Sequence, residues 1–176
     1  MKDKKTISRE IGLEIGTLCG RHILNVEHLH YGYWTKDLKV DLSHLPAAQK
    51  NYTDFLMSNI PDGVHTILDV GCGMGHTAKR LTEAGYAVDC VSPSAFLAQQ
   101  ARELLQDKCK IFECFYEQLH TEKRYDLVLF SESFQYIAPE TAIQKTLALL
   151  NPEGQMLICD VFKLSTKEKK SYFGRS

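Results

Sequence analysis

An α/β fold built on a doubly wound parallel sheet is predicted by three features of this 176-residue sequence. From Val64 onward, short apolar runs alternate with segments of helical periodicity, the pattern of successive βαβ units. The first run, Thr66–Val70, passes directly into a glycine-rich turn and then a helix. A later run, Asp126–Phe130, is apolar enough to be a strand covered on both faces, as a parallel sheet requires.

Taken in order, the chain opens with Ile7, Ile11, Ile15 and Leu18 at helical spacing before Gly20, which predicts an amphipathic helix. A polar and aromatic stretch, Leu29 to Trp34, follows. Pro46 then opens a second helix with Ala48, Tyr52, Phe55, Leu56 and Asn59 on one face, ended by Pro61-Asp62-Gly63. The alternating part reads as strand Thr66–Val70, helix Gly75–Ala84 closed by Gly85, strand Tyr86–Val91, and a helix through Phe96, Leu97, Ala101, Leu104 and Leu105. A short strand at Lys110–Glu113, the strand Asp126–Phe130, a helix from Pro139 to Leu150 and a strand Gln155–Phe162 complete it. Three parts are therefore expected: 1–62, a helical segment; 63–162, the α/β core; and 163–176, a tail with five basic residues and one acidic.

Composition narrows the functional classes. Twenty-one basic and 22 acidic side chains leave a net charge of −1, without the basic excess of a nucleic-acid binder. No apolar run approaches the roughly 20 residues that cross a bilayer, and MKDKKTISRE leads into no apolar signal core, so a cytoplasmic protein is expected. The six cysteines lack CxxC spacing, and no structural metal is predicted. A domain of this size buries roughly 70% of its unfolded surface and needs no covalent staple.

The residues richest in chemistry are Ile67-Leu68-Asp69-Val70-Gly71-Cys72-Gly73-Met74-Gly75. Lacking Cβ atoms, Gly71 and Gly73 can adopt positive φ and admit a ligand close to the backbone, while the helix beginning near Gly75 offers unpaired N–H donors. His76 stands where a dinucleotide fingerprint would need its third glycine.

This segment resembles the first motif of the class I S-adenosylmethionine-dependent methyltransferases. Tyr125-Asp126-Leu127-Val128-Leu129-Phe130-Ser131-Glu132 is similar to the family's fourth-strand motif, and Leu150-Asn151-Pro152-Glu153-Gly154 to the turn before its fifth strand. The resemblance covers residues 63 to 162 and implies a Rossmann-like sheet in the order 3-2-1-4-5 with S-adenosyl-L-methionine as cofactor. By position, Asp69, Gly71, Cys72, Gly73 and Gly75 would line its methionine and ribose region, with Ser131 at the end of strand four. The segment LHYGYW is similar to one that folds over the cofactor in small-molecule methyltransferases. That makes residues 1–62 a lid and brings in His30 and Tyr31 as catalytic candidates and Tyr33 as a cofactor contact. A ring face near a sulfonium is physically sensible. The alternative is that these aromatics only pack the helices on the sheet.

The sequence departs from the family where most members place a carboxylate after strand two. Asp89-Cys90-Val91-Ser92-Pro93-Ser94 offers none, and Ser92, helped by Ser94, is the candidate for the ribose unless these serines simply cap the next helix. At the adenine position Phe115 replaces the familiar Asp, with Glu117 a second candidate. Only Lys163 to Ser176 follow strand five, so the family's terminal hairpin is expected to be missing and the strand-five edge open to pairing with a second copy.

The implied reaction is methyl transfer to a small-molecule or lipid-like acceptor, with much of the acceleration coming from positioning. Tyr136 is the candidate catalytic residue after strand four, with Glu132 and His120 as lesser helpers. Cofactor affinity with weak turnover is expected of the short chain. Valine at Gly71 or Gly73 is expected to abolish binding with less effect on folding. A non-catalytic cofactor-binding module and an NAD-dependent oxidoreductase are the rival readings.

Overall fold

The computed structural model describes residues 4–162, so the basic tail lies outside the described residues. Helix α1 (Lys4–Cys19) runs into one wide π-helical turn, Gly20–Leu24, that stops at Asn25 in the left-handed conformation. An irregular stretch leads to α2 (Leu45–Ser58), where Pro46 occupies the first turn and loses no intrahelical bond. The core then follows as β1 (Thr66–Val70), α3 (His76–Glu83), β2 (Ala87–Val91), α4 (Ala95–Leu105), β3 (Lys110–Phe112), β4 (Tyr125–Ser131), α5 (Pro139–Leu149) and β5 (Leu150–Cys159).

The strands form one sheet in the order β3-β2-β1-β4-β5, every pair parallel. The chain moves outward from β1 to β3 and then returns to β1's other side, so β1 lies at the reversal point. In open α/β sheets a ligand crevice forms there, beyond the carboxyl ends of the strands.

Side chains alternate across this sheet with period two. Ile67, Cys90, Leu127 and Leu129 pack on one face against Leu56 of α2, Ala78 and Leu81 of α3, and Ala101 and Leu105 of α4. Leu68, Val70, Val128 and Phe130 pack on the other against Ala142 and Leu149 of α5 and the aromatic Tyr116. Each fully buried aliphatic side chain contributes about 1.5–3 kcal/mol, so the two layers account for the rigidity of the central strands.

Two elements differ from the sequence reading. The stripe Ile7, Ile11, Ile15 and Leu18 does not face the sheet: each residue is about half exposed, because α1 seats itself through Arg9, Glu10, Leu13 and Thr17 instead. Strand β5 begins at Leu150 rather than Gln155, with a register irregularity opposite Tyr125 to Leu127 that absorbs the Asn151–Gly154 turn. Among the described residues β5 pairs only with β4, leaving its outer edge open.

Candidate functional site

The turn after β1 is built by three glycines at positive φ, +79° at Gly71, +57° at Gly73 and +88° at Gly75. They serve different ends. A Cβ on Gly71 would strike Ser133, and one on Gly75 would press on Leu105 and Ala101 of α4, whereas a Cβ on Gly73 would meet nothing within 4 Å. Gly71 and Gly75 therefore permit close packing of the chain on itself, and Gly73 faces open space. The turn is held by Gly71 N–H and Cys72 N–H, which both donate to the Val91 carbonyl at 2.8 and 3.3 Å.

A cleft with two lobes opens over this turn, sharing Leu13, Gly71 and Tyr136. The first lobe, about 260 Å³, is lined by Asp69, Cys72, Gly73, Ser131 and Glu132 from the sheet side and by His28, His30 and Tyr31 from the N-terminal segment. Asp69 is the electrostatic centre of this lobe. Its side chain is 1% exposed, its Oδ2 has no hydrogen-bond partner, and burial pushes its carboxyl up to about 7. A buried carboxylate without a partner is costly, and a cationic or N–H-bearing ligand would relieve it. Glu132, held at φ +51°, adds a second carboxyl that is raised by burial and bonded to the Tyr31 backbone. A left-handed non-glycine residue beside a cleft is a typical place for functional strain.

The N-terminal segment is pinned over this lobe by α2. Gln49 Nε2 donates to the carbonyls of His28 and His30 at 3.0 and 2.8 Å. Tyr52 Oη donates to the Cys159 carbonyl and shares a 3.0 Å hydrogen bond with Ser131 Oγ, joining α2 to the ends of β4 and β5. Three imidazoles lie in succession, His30 4.6 Å from His28 and His28 5.3 Å from His76 between ring centres. Burial, then the neighbouring His76, lowers His28 to about 4; burial, then His28, lowers His30 to about 3; and burial lowers His76. All three are neutral near pH 7, and both ring nitrogens of His30 are buried without a partner.

The second lobe, about 580 Å³, is more apolar and is lined by Val70, Val91, Pro93, Phe115, Glu117 and Ile137 among others. Arg9 from α1 roofs it, its guanidinium 5.6 Å from the Phe115 ring centre and bonded to the Pro93 carbonyl. Beside it Glu10 Oε2 accepts from Ser94 Oγ at 2.8 Å and from Phe96 N–H at 3.2 Å, so a carboxylate from α1 sits at the amino end of α4 where negative charge is favoured.

The structure brings together in this cleft His30, Tyr31, Asp69, Gly71, Cys72, Gly73, Phe115, Ser131 and Tyr136 from the sequence candidates. It does not bring in the remaining three. Tyr33 turns away to stack on Phe55, its N–H spent on the Ala48 carbonyl. Ser92 is 1% exposed with its Oγ bonded within its own turn, whereas its neighbour Ser94 lines the second lobe while capping α4 by accepting from Leu97 N–H. Gly75 is covered by α4. Among the lesser candidates Glu117 lines the second lobe, while His120 is exposed on the surface.

Sequence reasoning missed Arg9, Glu10, Leu13 and His28. The first three sit on a helix whose apolar stripe points elsewhere, and no local pattern marks them. His28 had a legible signal, since residues two apart in an extended segment share a side and His28 lies two before His30.

Comparison with known proteins bears on this geometry. Residues 67–154, half of the chain, match the family described as a methyltransferase domain. The chain is 30% identical over 113 residues to the malonyl-[acyl-carrier protein] O-methyltransferase of Anoxybacillus flavithermus, an alignment covering 62% of this chain and 44% of that one. It spans about half the length of the curated relatives it matches. Among solved structures it superposes on the geranyl diphosphate C-methyltransferase of Streptomyces coelicolor with TM-score 0.68 and 18% identity, covering 89% of this chain and 64% of that one. It superposes equally well on the [4+2]-cyclase SpnF, with TM-score 0.69 and 20% identity over 85% of this chain and 59% of that one. At such identities the two structures show a shared fold.

Proposed function

The chain belongs to the methyltransferase-domain family, and on that premise we propose that it transfers the methyl group of S-adenosyl-L-methionine to a small-molecule acceptor. The observation that carries this reading is the unpartnered carboxylate oxygen of Asp69, buried beside the Gly71–Gly73 turn at the reversal point of the sheet. A methionine ammonium and a sulfonium are both cations, and the Asp69 carboxyl of this lobe, fully buried and without a partner at Oδ2, suits them.

When bound, the cofactor supplies an electrophilic methyl carbon on a sulfonium. Asp69, Gly71, Cys72, Gly73 and Ser131 hold its amino-acid end, and the second lobe, with Phe115 packing on one side and Glu117 near the rim, takes the adenosine. Residues 1–62 act as the lid over the α/β core of 63–162. His30, Tyr31 and Tyr136 face the remaining space, with Glu132 beside them, and orient the acceptor. Holding two reactants in near-attack geometry can supply about 7–11 kcal/mol of the barrier, so these residues act mainly by position. Tyr33, Ser92 and Gly75 act from outside the cleft, by packing the lid and by shaping the two turns.

Several features of the whole molecule fit this reading. The net charge of −1 gives no attraction to nucleic acid, no helix among the described residues is long and apolar enough to cross a membrane, and six free thiols suit the cytoplasm. Among the described residues the outer edge of β5 has no neighbouring strand, which offers a surface for pairing with a second copy.

Calorimetric titration with S-adenosylmethionine, S-adenosylhomocysteine and NAD tests the cofactor. Binding of the first two and not the third is expected, and NAD binding in their place would overturn the reading. Cofactor binding without label transfer to any acceptor pool would instead identify a binding module.

A further inference from the structure

A cavity of about 400 Å³ lies against the cleft, behind the 28–31 segment, and is within the size range of small-molecule sites. His28, Leu29, His30 and Tyr31 line both spaces, so this segment is their common wall. The far side of the cavity is apolar, formed by Leu24, Val26, Trp34, Val40, Leu42 and Leu45. Gln49, its polar neighbour, has its amide nitrogen committed to the carbonyls of His28 and His30. At the rim Val40 and Leu42 are 75% and 68% exposed, an apolar opening of the kind that marks a binding groove.

The wall itself carries the unsatisfied group. A neutral imidazole has one donor and one acceptor, and neither nitrogen of His30 has a partner although both are buried. Leaving such groups unmade is costly, and a hydroxyl can satisfy either nitrogen.

We propose that the acceptor is an amphiphile whose apolar body lies in this trough and whose proton-bearing group hydrogen-bonds to His30 at the wall of the cleft. The proposal rests on the cleft being the transfer site. It narrows the acceptor from any small molecule to one with an aliphatic or prenyl-like portion next to a hydroxyl or similar protic group. The trough gives affinity through apolar burial, and His30 fixes which end of the molecule faces the transferred methyl group.

Trp34 is the sole tryptophan of the chain, so its fluorescence reports on the trough directly. The full chain, without cofactor, is titrated with 1-octanol and with 1-chlorooctane, which has the same chain and no proton to donate. A saturable change in Trp34 emission is expected with both, and octanol binds more tightly. Leu42→Asp and Val40→Asp, at exposed positions that tolerate charge, should weaken both probes by about tenfold or more while leaving the circular dichroism unchanged. His30→Phe should weaken octanol by about tenfold and leave chlorooctane unaltered. No saturable response, or two probes affected alike by His30→Phe, would overturn the proposal. A chain that binds S-adenosylmethionine but not octanol would overturn the trough alone. One that binds octanol but not S-adenosylmethionine would overturn the transfer reading and, with it, the acceptor role.

Discussion

A Cβ on Gly71 would lie 2.5 Å from the Cβ of Ser133, so the turn after β1 and the turn after β4 meet with no room for a side chain between them. Ser133 Oγ also donates to the Val70 carbonyl, fixing the two turns to each other. Gly71→Ala is therefore expected to destabilise the fold by about 2 kcal/mol or more, combining positive φ with the clash, and thermal denaturation checks it. Gly73→Ala, whose Cβ meets open space, should cost about 1 kcal/mol in stability and weaken S-adenosylmethionine binding by about tenfold or more. The expectation that folding suffers less than binding thus applies to Gly73 and not to Gly71.

Asp69 makes stability depend on pH. Its carboxyl is raised from 3.8 to about 7 by burial, so between those values the folded protein keeps a proton that the unfolded chain has lost. Its contribution to stability is greatest below pH 4, declines as pH rises through this window and levels off above 7, a total on the order of 4 kcal/mol. His28 and His30, buried as neutral rings, act in the opposite sense and remove stability as pH falls below 6.5. Asp69→Asn should remove the Asp69 contribution, so that in chemical denaturation the variant gains stability relative to the parent as pH rises from 4 to 8, while cofactor binding weakens. At pH 6 cofactor binding to the parent should release a proton, visible as a dependence of calorimetric enthalpy on the buffer.

Tyr52→Phe removes the hydroxyl that ties α2 to Ser131 and to the Cys159 carbonyl. A loss of about 1–2 kcal/mol is expected in denaturant titration. Faster amide exchange in residues 28–34, which α2 holds down, should accompany it and would distinguish a loosened lid from general destabilisation.

Glu10→Ala removes the carboxylate that accepts from Ser94 Oγ and Phe96 N–H. The contact joins α1 to the core, so limited proteolysis should cut within residues 4–19 several-fold faster. Glu10→Gln keeps an acceptor and should retain about half of the protection. Equal digestion of parent and Glu10→Ala would show that Arg9 and Leu13 alone seat the helix.

The order of the sheet and the location of the turn were legible because β1, β2 and β4 are mainly apolar runs, each with a single aspartate, whose alternation with helices leaves few arrangements. Asp69 and the glycines were legible as a motif, although their separate tasks were not, since what a missing Cβ avoids at Gly71 and Gly75 is a contact 26 or more residues distant. The N-terminal helix was legible, but the face it turns to the core was not, for a related reason. Ile7, Ile11, Ile15 and Leu18 have the period of a buried face, yet the polar contacts of Arg9 and Glu10 decide which side of α1 meets the core. Ser92 follows strand two, where a ribose partner is expected, but the tight Ser92–Ser94 turn takes its hydroxyl out of reach.

The contact between Ser133 and Val70 spans 63 residues of chain. During synthesis β1 and β2 can emerge and pair while β4 is still inside the ribosome, but the cleft has no outer wall until Ser133 has left the exit tunnel. Until then Asp69 lacks its β4 partner Leu129, and the desolvation that raises its carboxyl in the finished sheet is incomplete. The cofactor consequently cannot act as a template for the early steps of folding. It selects among chains that have already joined the two halves of the sheet, and its stabilising effect falls wholly on that last stage.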